Sequence, residues 1–259
     1  MITSMSNNRV KQVVSLQQKA KERKERKCFV IEGLRLFEEA PVELLQEVYV
    51  SEQYLDKVKD LKVLKKLPYE VVSADVFQRM SDTKTPQGIL AVVKMPEYTM
   101  EEILAVEDPL LVLLEDIQDP GNLGTMMRTS EGAGVNGVVM TRETVDLFNP
   151  KTVRSTMGSI FRVPFLYVDD MIQTIRLLHE KKIRTYAAHL KGEKFYDELS
   201  YTSGCAFVIG NEGNGLKRET ADAADTYLKI PMQGRLESLN AAVATALLVY
   251  EAARQRRKG

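Results

Sequence analysis

Residues Cys205–Ala246 read CAFVIGNEGNGLKRETADAADTYLKIPMQGRLESLNAAVATA, and this stretch decides the fold. Its first five residues are an apolar run with the length of a buried strand, and the polar loop Gly210–Gly215 follows directly. A second apolar run, Tyr227–Ile230, leads into a polar turn, and Ser238–Asn240 then begins an alanine-rich helix. Ligands of open α/β sheets bind beyond the carboxyl ends of the strands, so these two loops are predicted to line one pocket.

The composition limits the class of protein. A chain of 259 residues with 44% hydrophobic and 28% charged residues is typical of a soluble globular protein with one large or two modest domains. No apolar run approaches the roughly 20 residues that a membrane helix needs, and the N-terminus lacks the apolar segment of a signal peptide. We therefore expect a cytoplasmic protein. Cys28 and Cys205 stand alone without CxxC spacing, which favours buried thiols over a disulfide or a metal site.

Basic residues are concentrated at both ends of a chain whose formal net charge is zero. Arg9–Lys27 holds eight basic residues against Glu22 and Glu25, and Arg254–Lys258 is a second basic cluster. One such run fits a solvated helix face as well as it fits a binding surface. Two of them on a neutral chain favour a polyanionic partner.

The first part of the chain alternates between strand and helix patterns. A helix is predicted over residues 8–27, followed by strands at 28–31, 48–50, 70–72 and 89–93 and by helices at 34–39, 54–67 and 75–80. This pattern predicts a small α/β domain over residues 1–95. Its polar loop Ser81–Gly88 carries Lys84 and several hydroxyl groups, so it is either an ordinary connection or a loop that contacts phosphate.

Residues 96–109 contain two prolines and an acidic stretch and are predicted to be a linker. The apolar run Leu110–Leu114 then begins a second domain, 110–259, as a buried parallel strand. Its exit loop Glu115–Gly124 leads into a helix that carries Arg128, and a glycine-bearing turn at a helix N-terminus suits an anion. The loop lacks the GxGxxG spacing of a dinucleotide fold and the GK[ST] of a P-loop.

Further strands are predicted at 138–140, 165–168 and 184–188, with a helix at 170–182. The closing helix, Asn240–Ala253, is apolar nearly all round and must be buried on several sides. We expect it to pack at a two-fold interface, with Leu248 as a candidate interface residue.

Three motifs in one order carry a resemblance to a known family. They are Asn122-Leu123-Gly124-Thr125-Met126-Met127-Arg128-Thr129, Ile209-Gly210-Asn211-Glu212-Gly213-Asn214-Gly215-Leu216, and Ile230-Pro231-Met232 with Glu237-Ser238-Leu239-Asn240-Ala241-Ala242. Together they resemble the signature motifs of the SpoU/TrmH family of RNA ribose 2′-O-methyltransferases, in the SPOUT superfamily. Phe29-Val30-Ile31-Glu32-Gly33 and Thr85-Pro86-Gln87-Gly88 are similar to the family's N-terminal substrate-binding domain. One departure is Ala241-Ala242, where the family usually has Val-Ser.

The resemblance implies an α/β SPOUT methyltransferase domain with a C-terminal trefoil knot, a homodimer with a shared active site, and S-adenosylmethionine as cofactor. It implies that the cofactor lies against Ala188, Leu190, Gly210, Asn211, Glu212, Ile230, Met232 and Leu239. The residues that match catalytic and substrate-orienting positions are Asn122, Arg128, Glu212, Ser238 and Asn240. The candidate RNA-binding residues are Arg9, Lys11, Lys84, Lys151 and Arg154.

The residue types suit methyl transfer to a ribose 2′-hydroxyl, most simply in ribosomal RNA. The sulfonium donor is already activated, so the protein must align the acceptor oxygen and help to remove its proton, and no metal is required. Because an arginine normally stays protonated, we expect Arg128 to grip a phosphate rather than to act as the base. The alternatives are the same chemistry on transfer RNA, a non-catalytic RNA-binding protein, and a nucleotide-dependent oxidoreductase, which the missing GxGxxG motif disfavours.

Overall fold

The computed structural model describes residues 1–58, 64 and 67–257. The chain divides into two compact units. Unit 1 comprises Met1–Pro96 and Asp146–Phe161, and unit 2 comprises Glu97–Val145 and Arg162–Gly259. The domain boundaries predicted from the sequence stay predictions, but the segment Asp146–Phe161 belongs to unit 1 although its sequence position lies within the predicted second domain.

Unit 1 contains a mixed four-stranded sheet in the order β1-β4-β2-β3. Its strands are β1 (Cys28–Glu32), β2 (Leu45–Ser51), β3 (Glu70–Val72) and β4 (Ile89–Lys94). β4 is antiparallel to both β1 and β2, whereas β3 runs parallel to β2. The helices in the same part of the chain are α1 (Asn8–Gln18), α2 (Ala20–Arg26), α3 (Leu34–Glu39), α4 (Leu55–Val58) and α5 (Ala74–Met80).

Two of the helices predicted for this region differ in the structure. The helix predicted over residues 8–27 is interrupted at Lys19, whose φ of −120° and ψ of 114° are extended, so α1 and α2 are separate. The apolar stripe of α1, Val10, Val13 and Leu16, is buried in the core of unit 1. Of the helix predicted over 54–67, α4 is helical, and residues 59–63 and 65–66 lie outside the described residues.

The segment Asp146–Phe161 joins unit 1 through polar and aromatic contacts. Arg23 has only 3% of its side chain exposed, and its Nη2 donates to Asp146 Oδ2 at 2.6 Å. The ring of Phe29 in β1 lies 4.9 Å from that of Phe148. α8 (Pro150–Thr156) follows in this segment. Arg23, counted in the sequence among the basic residues of a binding surface, therefore has a structural role.

Unit 2 contains a seven-stranded sheet in the order β7-β6-β5-β10-β8-β11-β9. Every pairing in it is parallel. The strands are β5 (Leu110–Leu114), β6 (Gly137–Thr141), β7 (Phe165–Val168), β8 (Arg184–Ala188), β9 (Lys194–Phe195), β10 (Cys205–Ile209) and β11 (Thr226–Lys229). Because all are parallel, their carboxyl ends lie along one edge of the sheet.

Helices cover the sheet of unit 2. They are α6 (Met100–Ile103), α7 (Pro120–Ala133), α9 (Met171–Glu180), α10 (Arg218–Ala223) and α11 (Ala241–Arg256). α9 and α10 pack through residues such as Ile175 and Ala221 on a core that includes Leu113 and Val208. Ile103 of the predicted linker is 1% exposed and belongs to the same core. α7 and α11 pack against each other, and α11 also contacts β5 and β10.

The closing helix is buried on one side and exposed on the other. Leu248 is fully buried within its own chain, so the expectation that it lies at a subunit interface is wrong. Val243 and Tyr250 are about half exposed instead, at 48% and 49%. The alanine-rich sequence of α11 gives little contrast between its faces, which is why the pattern did not distinguish them.

Two further predictions concern the thiols and the helices. Cys28 and Cys205 are free and buried, as predicted. Burial raises the pKa of both thiols, and that of Cys205 reaches about 11, so both are poor nucleophiles at neutral pH. Among the residues that the structure describes, no helix has the length and apolar character needed to cross a membrane.

Candidate active site

The three motif loops leave the sheet of unit 2 at its carboxyl edge. β5 and β10 are neighbours, with Leu114 paired to Ile209, and the loops that follow them begin at Glu115 and Gly210. The third motif loop ends at Asn240, which is the N-cap of α11. The topology therefore brings together residues about a hundred positions apart, as the sequence predicted for strand ends of an open α/β sheet.

The carboxylate of Glu212 connects the second motif to the first. Its Oε2 accepts a hydrogen bond from Gln118 N at 3.0 Å. Its Oε1 accepts from Asp119 N at 3.0 Å and from Asn122 Nδ2 at 3.0 Å. Both oxygens are thus occupied by donors from the loop that precedes α7 and from its first turn, so Glu212 fixes the conformation of that loop.

Asn122 in turn connects to the third motif. Its Oδ1 accepts from Asn240 Nδ2 at 3.0 Å, while Asn240 Oδ1 accepts from the backbone N–H groups of Ala242 and Val243. The helix N–H groups at one end and the carboxylate at the other dictate the orientation of both amides. Glu212, Asn122 and Asn240, all predicted as catalytic, form one continuous chain of hydrogen bonds, which we call the motif network.

The charge state of Glu212 follows from this network. Burial alone would raise the pKa of its carboxyl, but the hydrogen bonds from Asn122, Gln118 and Asp119 outweigh it and hold the pKa below its ordinary value. Glu212 is therefore ionised at neutral pH. A carboxylate with a lowered pKa and both oxygens engaged is a weak proton acceptor, so Glu212 suits a positioning role better than that of a general base.

A second set of contacts joins the first two loops and was not singled out from the sequence. Asn211 Nδ2 donates to Asp116 O at 2.8 Å, and Lys217 Nζ lies 2.8 Å from Asp116 Oδ2. Glu115, with 2% exposed, accepts from Lys217 N at 2.8 Å and from the hydroxyl of Thr220 at 2.5 Å. The only sequence signal was a pair of carboxylates directly after a buried strand. Asp116 has a φ of 55°, a strained value that these contacts maintain.

The residues predicted to hold the cofactor lie at the ends of three neighbouring strands. Ala188 ends β8, Gly210 follows β10, and Ile230 follows β11. Leu190 is 62% exposed, and Ile230, Met232 and Leu239 are half buried, so the chain itself leaves an apolar rim uncovered. Gly210 approaches Gly215 so closely that a Cβ on Gly210 would lie 2.2 Å from its carbonyl carbon. An apolar rim at the carboxyl ends of parallel strands fits a ligand such as S-adenosylmethionine.

Arg128 and Ser238, the other two predicted catalytic residues, are not part of the motif network. Both are exposed, and neither makes a hydrogen bond or an ion pair with any residue that the structure describes. Arg128 follows Asn122 by six residues, about 9 Å along the axis of α7. It shares a helix face with Gly132, where a Cβ would lie 2.7 Å from the hydroxyl of Tyr250 in α11.

The five candidate RNA-binding residues all lie in unit 1. Arg9 Nη1 pairs with Glu70 Oε1 at 2.9 Å, and Arg154 Nη1 pairs with Asp82 Oδ2 at 2.8 Å. Lys11, Lys84 and Lys151 are exposed. Within the described parts of the chain, no group of three or more His, Cys, Asp and Glu side chains is arranged to hold a metal ion.

A comparison with protein-family models identifies two regions of the chain. Residues 109–250 match the model described as the SpoU rRNA Methylase family. The chain belongs to that family. Residues 7–91 match the MRM3-like substrate binding domain. The α/β fold class, the family resemblance and the methyltransferase class predicted from the sequence are confirmed.

Named relatives extend the similarity over nearly the whole chain. The Bacillus subtilis 23S rRNA (guanosine(2553)-2′-O)-methyltransferase RlmP is 37% identical over 96% of this chain and 97% of its own length. The Escherichia coli 23S rRNA (guanosine-2′-O-)-methyltransferase RlmB is 31% identical over 85% of this chain and 94% of its own. The AdoMet-bound rRNA methyltransferase from Sinorhizobium meliloti superimposes with a TM-score of 0.85 at 31% identity, covering 98% of this chain and 97% of that one.

Proposed function

We propose that this protein transfers a methyl group from S-adenosylmethionine to the ribose 2′-hydroxyl of a guanosine in 23S rRNA. The motif network carries the proposal, because it joins Asn122, Glu212 and Asn240 of three separate motifs at the carboxyl edge of the sheet. The names of the B. subtilis and E. coli relatives support guanosine in 23S rRNA as the substrate. Transfer RNA remains the alternative substrate, and the cytoplasm is the compartment that we propose.

The proposed cofactor site is the apolar rim beyond β8, β10 and β11. Leu190, Ile230 and Met232 offer apolar contacts, and Gly210 begins the loop that carries Glu212 of the motif network. When bound there, S-adenosylmethionine supplies a methyl group on a sulfonium centre, which needs no further activation. The likeness to the AdoMet-bound S. meliloti structure supports this placement. We also propose that the loops around this rim form the C-terminal trefoil knot that the family resemblance implies.

The protein's contribution to the reaction is alignment and removal of one proton. Methyl transfer is an in-line displacement, so the 2′-oxygen must be held on the axis of the breaking bond. Asn122 and Asn240 each retain one amide N–H beyond the bonds that they make in the network, and these can orient the sugar. Ser238 is exposed on the same loop as Asn240 and is available to bind the ribose.

Arg128 is proposed to bind the phosphate beside the target ribose. Its guanidinium is exposed and presents a bidentate donor geometry that suits a phosphate. The hydroxyl proton then leaves to that phosphate or to water, since Glu212 is committed to the loop. The positioning residues already make their hydrogen bonds in the free protein, whereas the substrate-binding residues would make theirs only with the RNA.

The active protein is proposed to be a homodimer that uses the exposed stripe of α11. Val243, Ala246, Leu247 and Tyr250, at helical spacing, line a surface groove of about 400 Å³. The helices α7 and α11 run in the same direction, because Asn122 meets Asn240 and Gly132 meets Tyr250, both pairs 118 positions apart. Arg128 therefore lies at the level of Ala246, beside the stripe. A second copy on this stripe would place Arg128 next to the partner subunit.

The first unit is proposed to bind the RNA. Its residues 7–91 match a substrate-binding domain, which supports this proposal. The proposed RNA-binding residues are Arg9, Lys11, Lys84, Lys151 and Arg154. Arg9 and Arg154 pair with carboxylates in the free protein, so binding of RNA must compete with those ion pairs.

Methyl transfer to purified RNA tests the proposed function. Full-length protein would be incubated with radiolabelled S-adenosylmethionine and with unmodified 23S rRNA or total transfer RNA, and cofactor binding would be compared with that of NAD by calorimetry. We expect binding of S-adenosylmethionine alone and label in 23S rRNA at a ribose 2′-oxygen. Label confined to transfer RNA would establish the alternative substrate, and binding of NAD without transfer would exclude the methyltransferase assignment.

A further inference from the structure

A buried carboxylate in unit 1 organises an exposed loop. Glu32, at the end of β1, is 9% exposed. In the loop Ser81–Gly88, which follows α5, it accepts hydrogen bonds from Ser81 Oγ at 2.8 Å, from Thr83 Oγ1 at 2.8 Å and from Asp82 N at 3.3 Å. A buried carboxylate is stable only when its oxygens are engaged in this way, so the beginning of the loop Ser81–Gly88 is fixed.

The other end of the same loop is fixed by two glycines with positive φ. Gly88, at 80°, lies against Tyr54 so closely that a Cβ would fall 2.2 Å from the Tyr54 Cβ. Gly33, at 100°, leaves room for Gln87, whose Oε1 would lie 2.6 Å from an added Cβ. Both backbone conformations favour glycine, and a side chain at Gly88 would also clash with Tyr54. The exposed tip, Lys84–Thr85, is therefore held between two ordered ends.

Basic residues lie on this loop and in the segments that contact it. Arg154 pairs with Asp82 at 2.8 Å, and Lys57 Nζ lies 5.1 Å from the centroid of the Tyr54 ring. Arg35 is exposed two residues after Gly33. Lys84 is exposed at the tip and forms no hydrogen bond or ion pair with the residues described. An exposed lysine at the tip of an ordered, hydroxyl-bearing loop, with Arg154 paired to the same loop, suits the sugar-phosphate backbone of RNA.

We propose that Ser81–Gly88 is a preorganised binding loop for the phosphate backbone of the RNA substrate, contacted chiefly through Lys84, with Glu32 as its positioning residue. This inference rests on the proposed function. A loop that is already ordered loses less conformational entropy when it binds its ligand. The hydrogen bonds of the buried Glu32 carboxylate provide that order. The sequence of this loop fits an ordinary connection as well as it fits a phosphate-binding loop.

Lys94 provides a matched control for Lys84. Lys94 is also exposed. It is the last residue of β4, about 17 Å along the strand from Ile89, the first residue after the loop. Binding of unmodified 23S rRNA to the full chain would be measured by filter binding at several salt concentrations. We expect Lys84→Ala to raise the Kd several-fold and to lower the slope of log K against log salt by about 1. Lys94→Ala should change neither, and both variants should keep the wild-type affinity for S-adenosylmethionine.

Equal effects of the two lysines, or no effect of Lys84→Ala, would overturn the proposal. The binding comparison needs no methyl transfer, so it gives its answer even if 23S rRNA proves not to be methylated. In that case the proposed function fails while the loop can still be shown to bind RNA.

The positioning role of Glu32 has its own test. Glu32→Gln keeps the shape of the side chain but replaces one acceptor oxygen with a donor, so it should loosen the loop. We expect a higher KM for RNA at unchanged kcat, and a double variant with Lys84→Ala that loses less than the product of the two single effects. Fully multiplicative losses, or a fall in kcat alone, would show that Glu32 does not act through the loop. If Glu32→Gln fails to fold, the comparison of Lys84 with Lys94 still decides the proposal.

Discussion

A glutamate holds a functional loop in each of the two units, but the two carboxylates differ in what they join. Glu212 in unit 2 binds donors 90 to 94 positions earlier in the chain, and through Asn122 it reaches Asn240. Glu32 in unit 1 binds a loop 49 to 51 positions later, and it is buried at 9% exposure. Both act as hydrogen-bond acceptors rather than as bases.

The difference indicates where the chemistry lies. Glu212 connects three motif loops through Asn122 and Asn240, and the exposed side chains of Arg128 and Ser238 belong to the same motifs. Around Glu32 a single loop is ordered and its tip presents one lysine. The first arrangement suits the proposed alignment of two reactants, and the second suits the proposed binding of a polyanion. Breaking each carboxylate's contacts should therefore affect different steps of the reaction.

The largest effect is expected from the motif network. Glu212→Ala and Asn240→Ala should each lower kcat by about 10²-fold or more, because a displacement of about 1 Å at the reacting atoms has that consequence. Single-turnover methylation of 23S rRNA measures the effect, and circular dichroism confirms that the fold is retained. Activity within a few-fold of wild type in a well-folded variant contradicts the role of the network.

Arg128→Ala should lower kcat/KM for RNA by roughly 10- to 100-fold, since a hydrogen bond to a charged group contributes about 1.5–3 kcal/mol. The proposed sharing of the site between two subunits can be tested with the same variant. In a mixture of Arg128→Ala and Asn240→Ala proteins, heterodimers have one site with both defects and one with neither, so about a quarter of wild-type activity should return. No recovery, despite subunit exchange shown by mass spectrometry, would mean that each subunit uses its own Arg128.

The proposed interface gives a somewhat smaller effect. Tyr250→Glu places a charge on the exposed stripe of α11 and should convert the dimer to a monomer, with activity falling by about tenfold at low protein concentration because association supplies the missing residue. Light scattering and methylation should change together. The matched control is Val106→Glu, since Val106 is similarly exposed at 47% and lies outside α11. Loss of the dimer in the control would show that any added charge suffices.

The smallest effect concerns acid stability. The hydrogen bonds that hold the pKa of Glu212 below its ordinary value stabilise the folded protein above the unfolded pKa, and this contribution is lost as the pH falls through the folded value. Glu212→Gln should therefore melt at a lower temperature than wild type at pH 7, and the difference should shrink below about pH 4. A difference that is constant from pH 7 to pH 3 would mean that the charge of Glu212 does not support the loop.

Much of the fold could be predicted because the buried strands are short apolar runs between turn residues. The predicted bounds of β5, β7, β8 and β10 coincide with the structure. β9 was missed because Lys194 and Phe195 are exposed and too few to show a pattern. The break at Lys19 has no proline or glycine to mark it. The membership of Asp146–Phe161 in unit 1 depends on tertiary contacts such as Arg23 with Asp146, which no local pattern reveals.

The candidate site could be predicted as a set of residues but not as a set of roles. Asn122, Glu212 and Asn240 came from the motif resemblance, and only the structure shows that they bind one another. The contacts of Glu115 and Lys217 were missed because the chain separates these residues by 102 positions. Sequence spacing does not predict a contact between such distant residues. A strand followed by a polar loop, in contrast, can be predicted from a local pattern.

Mapping of ribose methylation in cells is the decisive test of the proposed methyl transfer to 23S rRNA. Total RNA from cells that lack this protein would be compared with RNA from cells complemented with the wild-type chain or with Asn240→Ala. We expect one 2′-O-methylated guanosine in 23S rRNA that disappears without the protein, returns with the wild type, and does not return with Asn240→Ala. An unchanged 23S rRNA pattern, or full restoration by Asn240→Ala, would contradict the proposal.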